Sequence, residues 1–143
     1  MALREFYEVL PSTQDRAIAL ARAGAPPGSR VVARSQTAGR GRLDHRWWSP
    51  RGVGVYLSAI AEAPPPPRTR FALAVGTCLA EALEPLSPVP LRVKWPNDLW
   101  AEVPAGPARK LAGVLIDEVA TPSHGLREVV GVGVNVAPLD PAA

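Results

Sequence analysis

The segment that most constrains how this 143-residue chain can fold is residues 36–50, with the sequence QTAGRGRLDHRWWSP. It is too rich in glycine and arginine to form core, and an apolar run with strand character lies on either side of it. Five arginines occur from Arg34 to Arg51, against one acidic residue, Asp44. The segment therefore predicts a long basic loop that joins two strands, and such loops often carry binding residues.

The side chains of this loop indicate what it binds. Gly39 and Gly41 let the backbone approach a ligand closely. Arg40 and Arg42 present planar guanidinium groups that suit a carboxylate or a phosphate. The two tryptophans that follow offer faces on which a flat ring can stack. Together these residues predict a pocket for an anionic, ring-bearing ligand such as a nucleotide; the alternative is a solvated basic loop whose tryptophans pack into the core.

Composition limits the class of protein. A chain of this length is most simply one domain, long enough to bury a substantial core. The formal charge is +3 with 20% charged residues, and because the excess lies in the loop it indicates a local anion site more than a nucleic-acid surface. A single cysteine excludes an internal disulfide. Without a signal peptide or an apolar run of about 20 residues, the sequence predicts a cytoplasmic protein with neither DNA nor membrane as a partner.

The first half of the chain predicts one helix and two strands. Ser12 is placed to cap a helix that continues to residue 23, and Gly24 is a suitable stop. Residues 30–34 and 52–60 are apolar runs typical of strands, on either side of the basic loop.

The second half predicts another helix and several strands. Apolar residues at helical spacing run from Thr69 to Pro85, so we expect a helix largely buried on a sheet, with Cys78 as a small core residue. Strands are expected at residues 91–94, 110–120 and 126–136, with turns at 95–98 and 121–125, the last joining a hairpin. This order predicts a single α+β domain over residues 1–143, with a mixed, mostly antiparallel sheet and helices on one face.

Several familiar sites are absent from the sequence. There is no phosphate-binding P-loop, and Asp44 stands where a dinucleotide fingerprint would have its third glycine. His45 and His124 are the only histidines, so no zinc cluster exists. What remains suits charge neutralisation and positioning of a phosphate more than proton transfer: Arg40, Arg42, Lys94, Lys110, Asp98 and the tryptophans.

Five motifs together resemble one enzyme family. They are Ser-Thr-Gln at 12–14, Gly-Arg-Gly-Arg at 39–42 with Trp and Ser-Pro after it, Lys-Trp-Pro-Asn-Asp-Leu at 94–99, Arg-Lys-Leu-Ala-Gly-Val-Leu at 109–115 and Gly-Val-Gly-Val-Asn-Val at 131–136. In this order they resemble the catalytic domain of the biotin protein ligases, whose fold is like that of the class II aminoacyl-tRNA synthetases. The similarity extends over nearly the whole chain, and the family's usual opening is Ser-Thr-Asn.

The resemblance implies a reaction and its partners. Biotin and ATP, with Mg²⁺, would give biotinoyl-AMP and pyrophosphate. The biotinyl group would then pass to a lysine of the biotin carboxyl carrier protein of acetyl-CoA carboxylase or a related carboxylase. A homodimer is left open.

The resemblance also implies site residues. Short polar side chains of residues 12–14 would line the ureido end of biotin, Lys110 and Arg42 would be catalytic, and Asp98 would be a magnesium ligand. Trp47 would face the adenine. Ordinary turn capping is the alternative for Asn97 and Asp98, and an exposed strand end is the alternative for Lys110. The implied biotin site is Ser12, Thr13, Gln14, Gln36, Gly39, Arg40, Arg42, Lys110 and Gly113. The implied ATP site is Arg40, Arg42, Trp47, Asn97, Asp98, Lys110 and Asn135.

The sequence departs from the family pattern in places. Leu43, Asp44 and His45 replace residues that are usually basic or glycine, which affects loop closure. By the resemblance the catalytic domain is incomplete at its C-terminus, with no DNA-binding domain before it and no small β-barrel domain after it. Three alternatives stay open: a non-catalytic biotin-binding protein, a lipoate-type ligase of the same fold, and a nucleic-acid-binding module, which would need a basic stripe outside the loop.

Overall fold

The computed structural model describes residues 1–65, 69–122 and 125–137. It has two α-helices and seven strands, with a short 3-10 helix at Glu84–Leu86. The elements are β1 (Arg4–Tyr7), α1 (Thr13–Arg22), β2 (Arg30–Ala33), β3 (Gly54–Glu62), α2 (Thr69–Leu83), β4 (Leu91–Lys94), β5 (Asp98–Ala101), β6 (Arg109–Thr121) and β7 (Gly125–Asn135). The chain divides into two compact units, one from Met1–Ala63 with Leu115–Ala143 and the other from Pro64–Val114.

Backbone hydrogen bonds link the strands in the order β1-β2-β3-β7-β6-β5-β4. β1 is parallel to β2, whereas the β2–β3, β3–β7, β4–β5 and β5–β6 pairs are antiparallel. The predicted mixed, mostly antiparallel sheet with two helices is confirmed. None of the helices in the described ranges is long and apolar enough to cross a lipid bilayer.

In the first unit, α1 packs on β2, β3 and β7. Alternate residues of β3 turn toward it, so Tyr56, Ser58 and Ile60 are buried while their neighbours are not. This alternation is what a sheet with one covered face requires. The core beneath the helix consists of Leu10, Ala17, Leu20, Ala21, Val31, Ala33, Ile60, Val119 and Val129.

The ends of α1 follow the local signals in the sequence. Ser12 is the N-cap, and its hydroxyl accepts a hydrogen bond from the backbone N–H of Asp15 at 3.3 Å. At the other end Gly24 has a φ of 86°, the left-handed conformation that lets the chain leave a helix. The predicted helix and both of its boundaries are confirmed.

In the second unit, α2 contacts β4 and β5. Gly76 is buried and lies against Val93, but the other α2 residues whose side chains are described are exposed or half-exposed. The prediction that this helix is largely buried is therefore wrong, and Cys78 is exposed and not a core residue. A pair of four-residue strands can cover only one stripe of a 15-residue helix.

Two short strands were absent from the sequence prediction. β1 and β5 are four residues long, too short for an alternating pattern to show. β1 pairs with β2, about 26 residues away, whereas β5 forms a tight hairpin with β4 and also pairs with β6. The other strands match the predicted ranges within a few residues. β6 and β7 are hydrogen-bonded neighbours as expected for a hairpin, but residues 123 and 124 of its turn lie outside the described residues.

Candidate active site

The basic loop between β2 and β3 folds back on itself. The backbone N–H of Gln36 donates to the Ser49 carbonyl at 3.0 Å, and the N–H of Trp47 donates to the Gly39 carbonyl at 2.9 Å. Isolated bridges pair Gln36 with Ser49 and Arg40 with Arg46. The predicted loop is thus an irregular hairpin, and its two arms hold one another in place.

The tip of this hairpin is a tight turn without glycine. The N–H of His45 donates to the Arg42 carbonyl at 3.0 Å, and the two residues between them, Leu43 and Asp44, have φ of 52° and 60°. Two successive residues with positive φ define the type I′ turn, which favours Asn-Gly. Aspartate tolerates this conformation better than leucine, so the strain falls mainly on Leu43.

Two glycines make room for Trp47. A Cβ on Gly39 would collide with the Trp47 carbonyl oxygen and lie 2.7 Å from Ser49 Oγ. A Cβ on Gly133 of β7 would collide with the Trp47 indole. The half-buried ring therefore lies directly on the backbone of β7, which places it at the sheet surface beside the loop.

Gln36 forms a polar network with the start of α1. Its Oε1 accepts from the Thr13 backbone N–H at 2.7 Å and from the Thr13 hydroxyl at 3.1 Å. Its Nε2 donates to Ser49 Oγ at 2.8 Å, and Ser58 Oγ donates to Thr13 Oγ1 at 2.9 Å. Because Thr13, Ser49 and Ser58 are all buried, these bonds fix the Gln36 carboxamide in one orientation.

Gln14 lies almost completely buried below this network, with 3% of its surface exposed. Its Nε2 donates to the Val129 carbonyl and to Asp117 Oδ2, both at 2.9 Å. Its Oε1 is buried and accepts no hydrogen bond from the described part of the chain. A Cβ on Gly131 would lie 2.5 Å from this oxygen, so the glycine leaves space above β7 for the amide.

Arg40 is paired with two carboxylates. Its Nη1 lies 2.9 Å from Asp15 Oδ1 on α1 and 3.3 Å from Asp117 Oδ2 on β6. The loop borders a cavity of about 510 Å³. The lining residues are Ala38, Gly39, Arg40, Gly41, Arg42, Leu43, Asp44, His45, Arg46, Leu115 and Asp117. The role of Arg40 as a ligand for an external anion stays a prediction.

The segment after the loop is anchored to β3. Tyr56 is 1% exposed, and its hydroxyl donates to the Pro50 carbonyl at 2.9 Å. Burial raises the pKa of the Tyr56 phenol, so it stays a neutral donor. This anchor limits how far the loop can move at its C-terminal end.

The second unit carries its own polar group on β5 and β6. Lys110 Nζ lies 2.8 Å from Asp98 Oδ1, and Asp98 is opposite Gly113. Asn97 donates through Nδ2 to the Val114 carbonyl at 3.0 Å and accepts the Val114 N–H at 2.8 Å through its own carbonyl. The Asn97 side chain thus bonds to the neighbouring strand β6 and Asp98 has a cationic partner. The roles of both residues toward a ligand stay predictions.

A bulge sets the side of the sheet on which Lys110 lies. Leu99 is opposite Ala112 but Trp100 is opposite Lys110, so Leu111 is an extra residue on β6. In a regular register Leu111 would be opposite Trp100 and Lys110 would point to the other face. The bulge therefore puts Lys110 on the same side as Asp98.

The structure brings together most of the predicted residues within each unit. Thr13, Gln14, Gln36, Gly39 and Arg40 are neighbours in the first unit, where Ser12 serves as the helix cap. Asn97, Asp98, Lys110 and Gly113 are neighbours in the second unit, and Asn135 ends β7 in the first. In the described ranges, no cluster of three or more histidine, cysteine, aspartate or glutamate residues could hold a metal ion.

Four polar residues of the site were not predicted: Asp15, Ser49, Ser58 and Asp117. Ser58 gave no distinctive signal, and Ser49 entered only as part of the Ser-Pro motif after the loop. Asp117 did carry one, because this carboxylate follows a run of six uncharged residues, Leu111 to Ile116, in the middle of a strand. A charged residue in such a run usually has a partner.

Comparison with known proteins identifies the family. The family model described as "Biotin/lipoate A/B protein ligase family" matches residues 6–135. The bifunctional ligase/repressor BirA of Escherichia coli is 38% identical over 112 residues, covering 77% of this chain and 33% of that protein. The biotin--[acetyl-CoA-carboxylase] ligase of Mycobacterium tuberculosis is 36% identical over 132 residues, covering 87% of this chain and 46% of that protein.

A solved structure shows the same fold. The biotin protein ligase from Aquifex aeolicus in complex with biotin and ATP superposes with a TM-score of 0.77 at 28% identity, covering 99% of this chain and 56% of that one. The chain thus spans about a third to a half of the length of these curated relatives. On the family model, the sequence identity and the shared fold, the chain belongs to the biotin/lipoate A/B protein ligase family.

Proposed function

We propose that this chain catalyses, or forms the substrate-binding part of a protein that catalyses, the ATP-dependent attachment of biotin to a carrier protein. The observation that carries the proposal is the buried network of Thr13, Gln36, Ser49 and Ser58 beside Gly39. The network presents oriented polar groups at the N-terminus of α1. Gly39, which has no side chain, lets a ligand come close to the backbone beside them. Family membership and the relatives named as biotin ligases support the assignment.

Biotin would bind with its ureido ring at this network. The ring carries two N–H donors and one strongly accepting oxygen, so a buried site must supply both acceptors and donors. A carboxamide nitrogen has two protons, and the one on Gln36 Nε2 that does not go to Ser49 can donate to the ureido oxygen. Gln14 Oε1, buried without a hydrogen bond within the described residues, is an acceptor suited to a ureido N–H.

The first chemical step would be adenylation. A carboxylate oxygen of biotin attacks the α-phosphorus of ATP, the bond to the bridging oxygen of the β-phosphate breaks, and pyrophosphate leaves. Negative charge builds up around the α-phosphorus, so fixed cations there lower the barrier. We assign Arg42 of the loop to the biotin carboxylate and phosphates, and Lys110 to the α-phosphate. Trp47 is assigned to the adenine.

The proposal includes Mg²⁺ only as the ion bound to the phosphates of ATP. Mg²⁺ in nucleotide sites commonly uses one or two carboxylates with the substrate phosphates. Asp98 already has one oxygen paired with Lys110, and no group of three or more His, Cys, Asp or Glu side chains within the described residues could hold a metal ion. A resident magnesium site does not fit these residues, and no step is assigned to one.

The second step would transfer the biotinyl group. The neutral amine of a carrier lysine attacks the acyl carbon of biotinoyl-AMP, and AMP leaves. We propose a biotin carboxyl carrier protein as the acceptor, because relatives are named as ligases for acetyl-CoA carboxylase. A chain that binds biotin without turning it over is the second candidate, since the network around Gln36 is complete without the Lys110 group.

Calorimetry on designed variants tests biotin binding directly. Thr13→Val keeps the shape of the side chain but removes the hydroxyl that contacts Gln36 and Ser58, so we expect biotin affinity to fall by about tenfold. Thr77→Val is the matched control, because Thr77 is an exposed helical threonine whose hydroxyl donates to the Leu73 carbonyl of its own helix. Lipoate should bind at least about a hundredfold more weakly, since it has no ureido group to pair with buried polar atoms. Equal binding of both ligands would favour a lipoate-type ligase.

A further inference from the structure

Asp117 is the point at which two parts of the candidate biotin site meet. It lies on β6 within the first unit, with 28% of its side chain exposed. One of its oxygens, Oδ2, accepts from Gln14 Nε2 at 2.9 Å and lies 3.3 Å from Arg40 Nη1. The other, Oδ1, lies 3.5 Å from Arg40 Nη2. One carboxylate thus serves both a buried amide from α1 and a guanidinium from the loop.

The second carboxylate on Arg40 has a different setting. Asp15 also pairs with Arg40, at 2.9 Å, but 57% of its side chain is exposed. Within the described residues the Gln14 side chain donates to Asp117 and to the Val129 carbonyl and not to Asp15, so Asp15 holds the loop against the outside of α1. Exposed ion pairs contribute little because water screens them and both side chains lose rotamer freedom. Of the two, only Asp117 connects the loop to the buried interior of the site.

We propose that Asp117 is a positioning residue that couples the conformation of the basic loop to that of Gln14. The inference rests on the proposed biotin function but assigns a residue and a role that the function alone does not require. Arg40 would act here as a latch inside the protein, which leaves Arg42 as the loop arginine that meets the ligand. When the Arg40–Asp117 contact forms, Gln14 Nε2 stays turned toward Asp117 and its Oε1 stays above Gly131.

The chemistry of the carboxylate explains why an uncharged side chain at position 117 would not hold both Gln14 and Arg40. Gln14 Nε2 and the Arg40 guanidinium are both hydrogen-bond donors, so each needs an acceptor. Aspartate supplies two accepting oxygens and a negative charge. Asparagine keeps one accepting oxygen, which can serve Gln14 Nε2 and Arg40 Nη1, but its amide N–H would face Arg40 Nη2 and the negative charge that attracts the guanidinium is lost. Glutamate keeps both acceptors on a stem longer by one methylene.

The test measures loop order and biotin affinity separately. In hydrogen–deuterium exchange without ligand, Asp117→Asn should speed exchange of the amides in residues 38–46 by about tenfold, whereas Asp15→Asn should change it by less than about threefold. Biotin affinity measured by calorimetry should fall by about tenfold in Asp117→Asn and be largely recovered in Asp117→Glu. A change confined to the melting temperature, with loop exchange unaltered, would show a merely structural role and overturn the proposal.

A double-mutant cycle tests whether Asp117 acts on the loop through Arg40. Arg40→Gln breaks the latch from the loop side and leaves the Gln14–Asp117 bond, so it remains informative if Asp117→Asn does not fold. If Asp117 acts through Arg40, Asp117→Asn added to Arg40→Gln should leave loop exchange within about twofold of Arg40→Gln alone. Additive effects would contradict the proposal. If the unaltered chain binds no biotin, the proposed function fails, whereas the exchange measurement still decides whether Asp117 orders the loop through Arg40.

Discussion

Lys110 and Asp98 form an ion pair across two antiparallel strands, with 2.8 Å between Lys110 Nζ and Asp98 Oδ1. The pair exists because a bulge at Leu111 places Lys110 on the side of the sheet that carries Asp98. A carboxylate neighbour holds a lysine side chain in position. The arrangement suits a cation that stabilises charge on a reacting phosphate.

We predict that Lys110→Met slows adenylate formation by at least about a hundredfold while biotin affinity changes by less than about threefold. The lysine charge matters most where negative charge develops in the transition state. Arg109→Met is the control, because it removes a neighbouring exposed cation from the same strand. Pyrophosphate release and calorimetry provide the two readouts. Normal pyrophosphate release in Lys110→Met would remove this residue from the mechanism.

A glycine at the tip of the loop should relieve backbone strain and make the loop more ordered. Leu43 and Asp44 both have positive φ, a conformation that costs roughly 1–2 kcal/mol for most non-glycine residues and less for aspartate. We predict that Asp44→Gly slows hydrogen exchange at the His45 amide, which closes the turn, and that Asp44→Ala accelerates it. If the two substitutions act in the same direction, strain at this turn is not what limits loop order.

Gly133 should be intolerant of a side chain as long as Trp47 lies on it. Gly133→Ala forces a Cβ into the indole ring, and we expect a loss of about 1–3 kcal/mol in the free energy of unfolding together with altered tryptophan fluorescence. The double variant with Trp47→Ala should recover part of that loss, because the obstructing ring is gone. If the double variant recovers none of the lost stability, the added Cβ does not clash with the Trp47 ring.

Acid should weaken the contact between β1 and α1. Arg16 donates to both carboxylate oxygens of Glu5 at 2.7 Å, and this contact lowers the pKa of Glu5 below its usual 4.5. Because the folded pKa is depressed, the stabilisation is fully present above pH 4.5 and is lost as pH falls through the lower folded value. Urea unfolding of the unaltered chain and Glu5→Gln should therefore differ at neutral pH and converge in acid. A constant difference across this range would contradict the assignment.

Local signals predicted the parts of the fold that local interactions determine. The Ser12 cap and the Gly24 stop placed α1 correctly because both act within one turn of the helix. The exposure of Cys78 was not predicted because an apolar stripe shows which residues could be buried, not how much sheet exists to cover them. The basic loop was located by composition alone. Its internal turn at Leu43 was not, since nothing in a Leu-Asp pair indicates positive φ.

Many contacts of the site join residues that are far apart in the chain, so the sequence alone did not predict them. Gln14 and Asp117 are separated by 103 positions in the chain, and their contact depends on α1 packing against the sheet. Arg40 was assigned to an external anion because its own charge was visible and its two carboxylate partners were not. The bulge that orients Lys110 likewise arises from register between strands, which a single sequence does not specify.

Biotin-dependent release of pyrophosphate from ATP tests the central claim most directly. The chain is incubated with ATP and Mg²⁺, with or without biotin, and pyrophosphate is measured alongside trapped biotinoyl-AMP, with Lys110→Met as the control. The proposed function predicts release that requires biotin, equals the adenylate formed and is lost in Lys110→Met. Biotin binding by calorimetry without any biotin-dependent pyrophosphate would contradict ligase activity and identify this chain as a biotin-binding protein that lacks the chemistry.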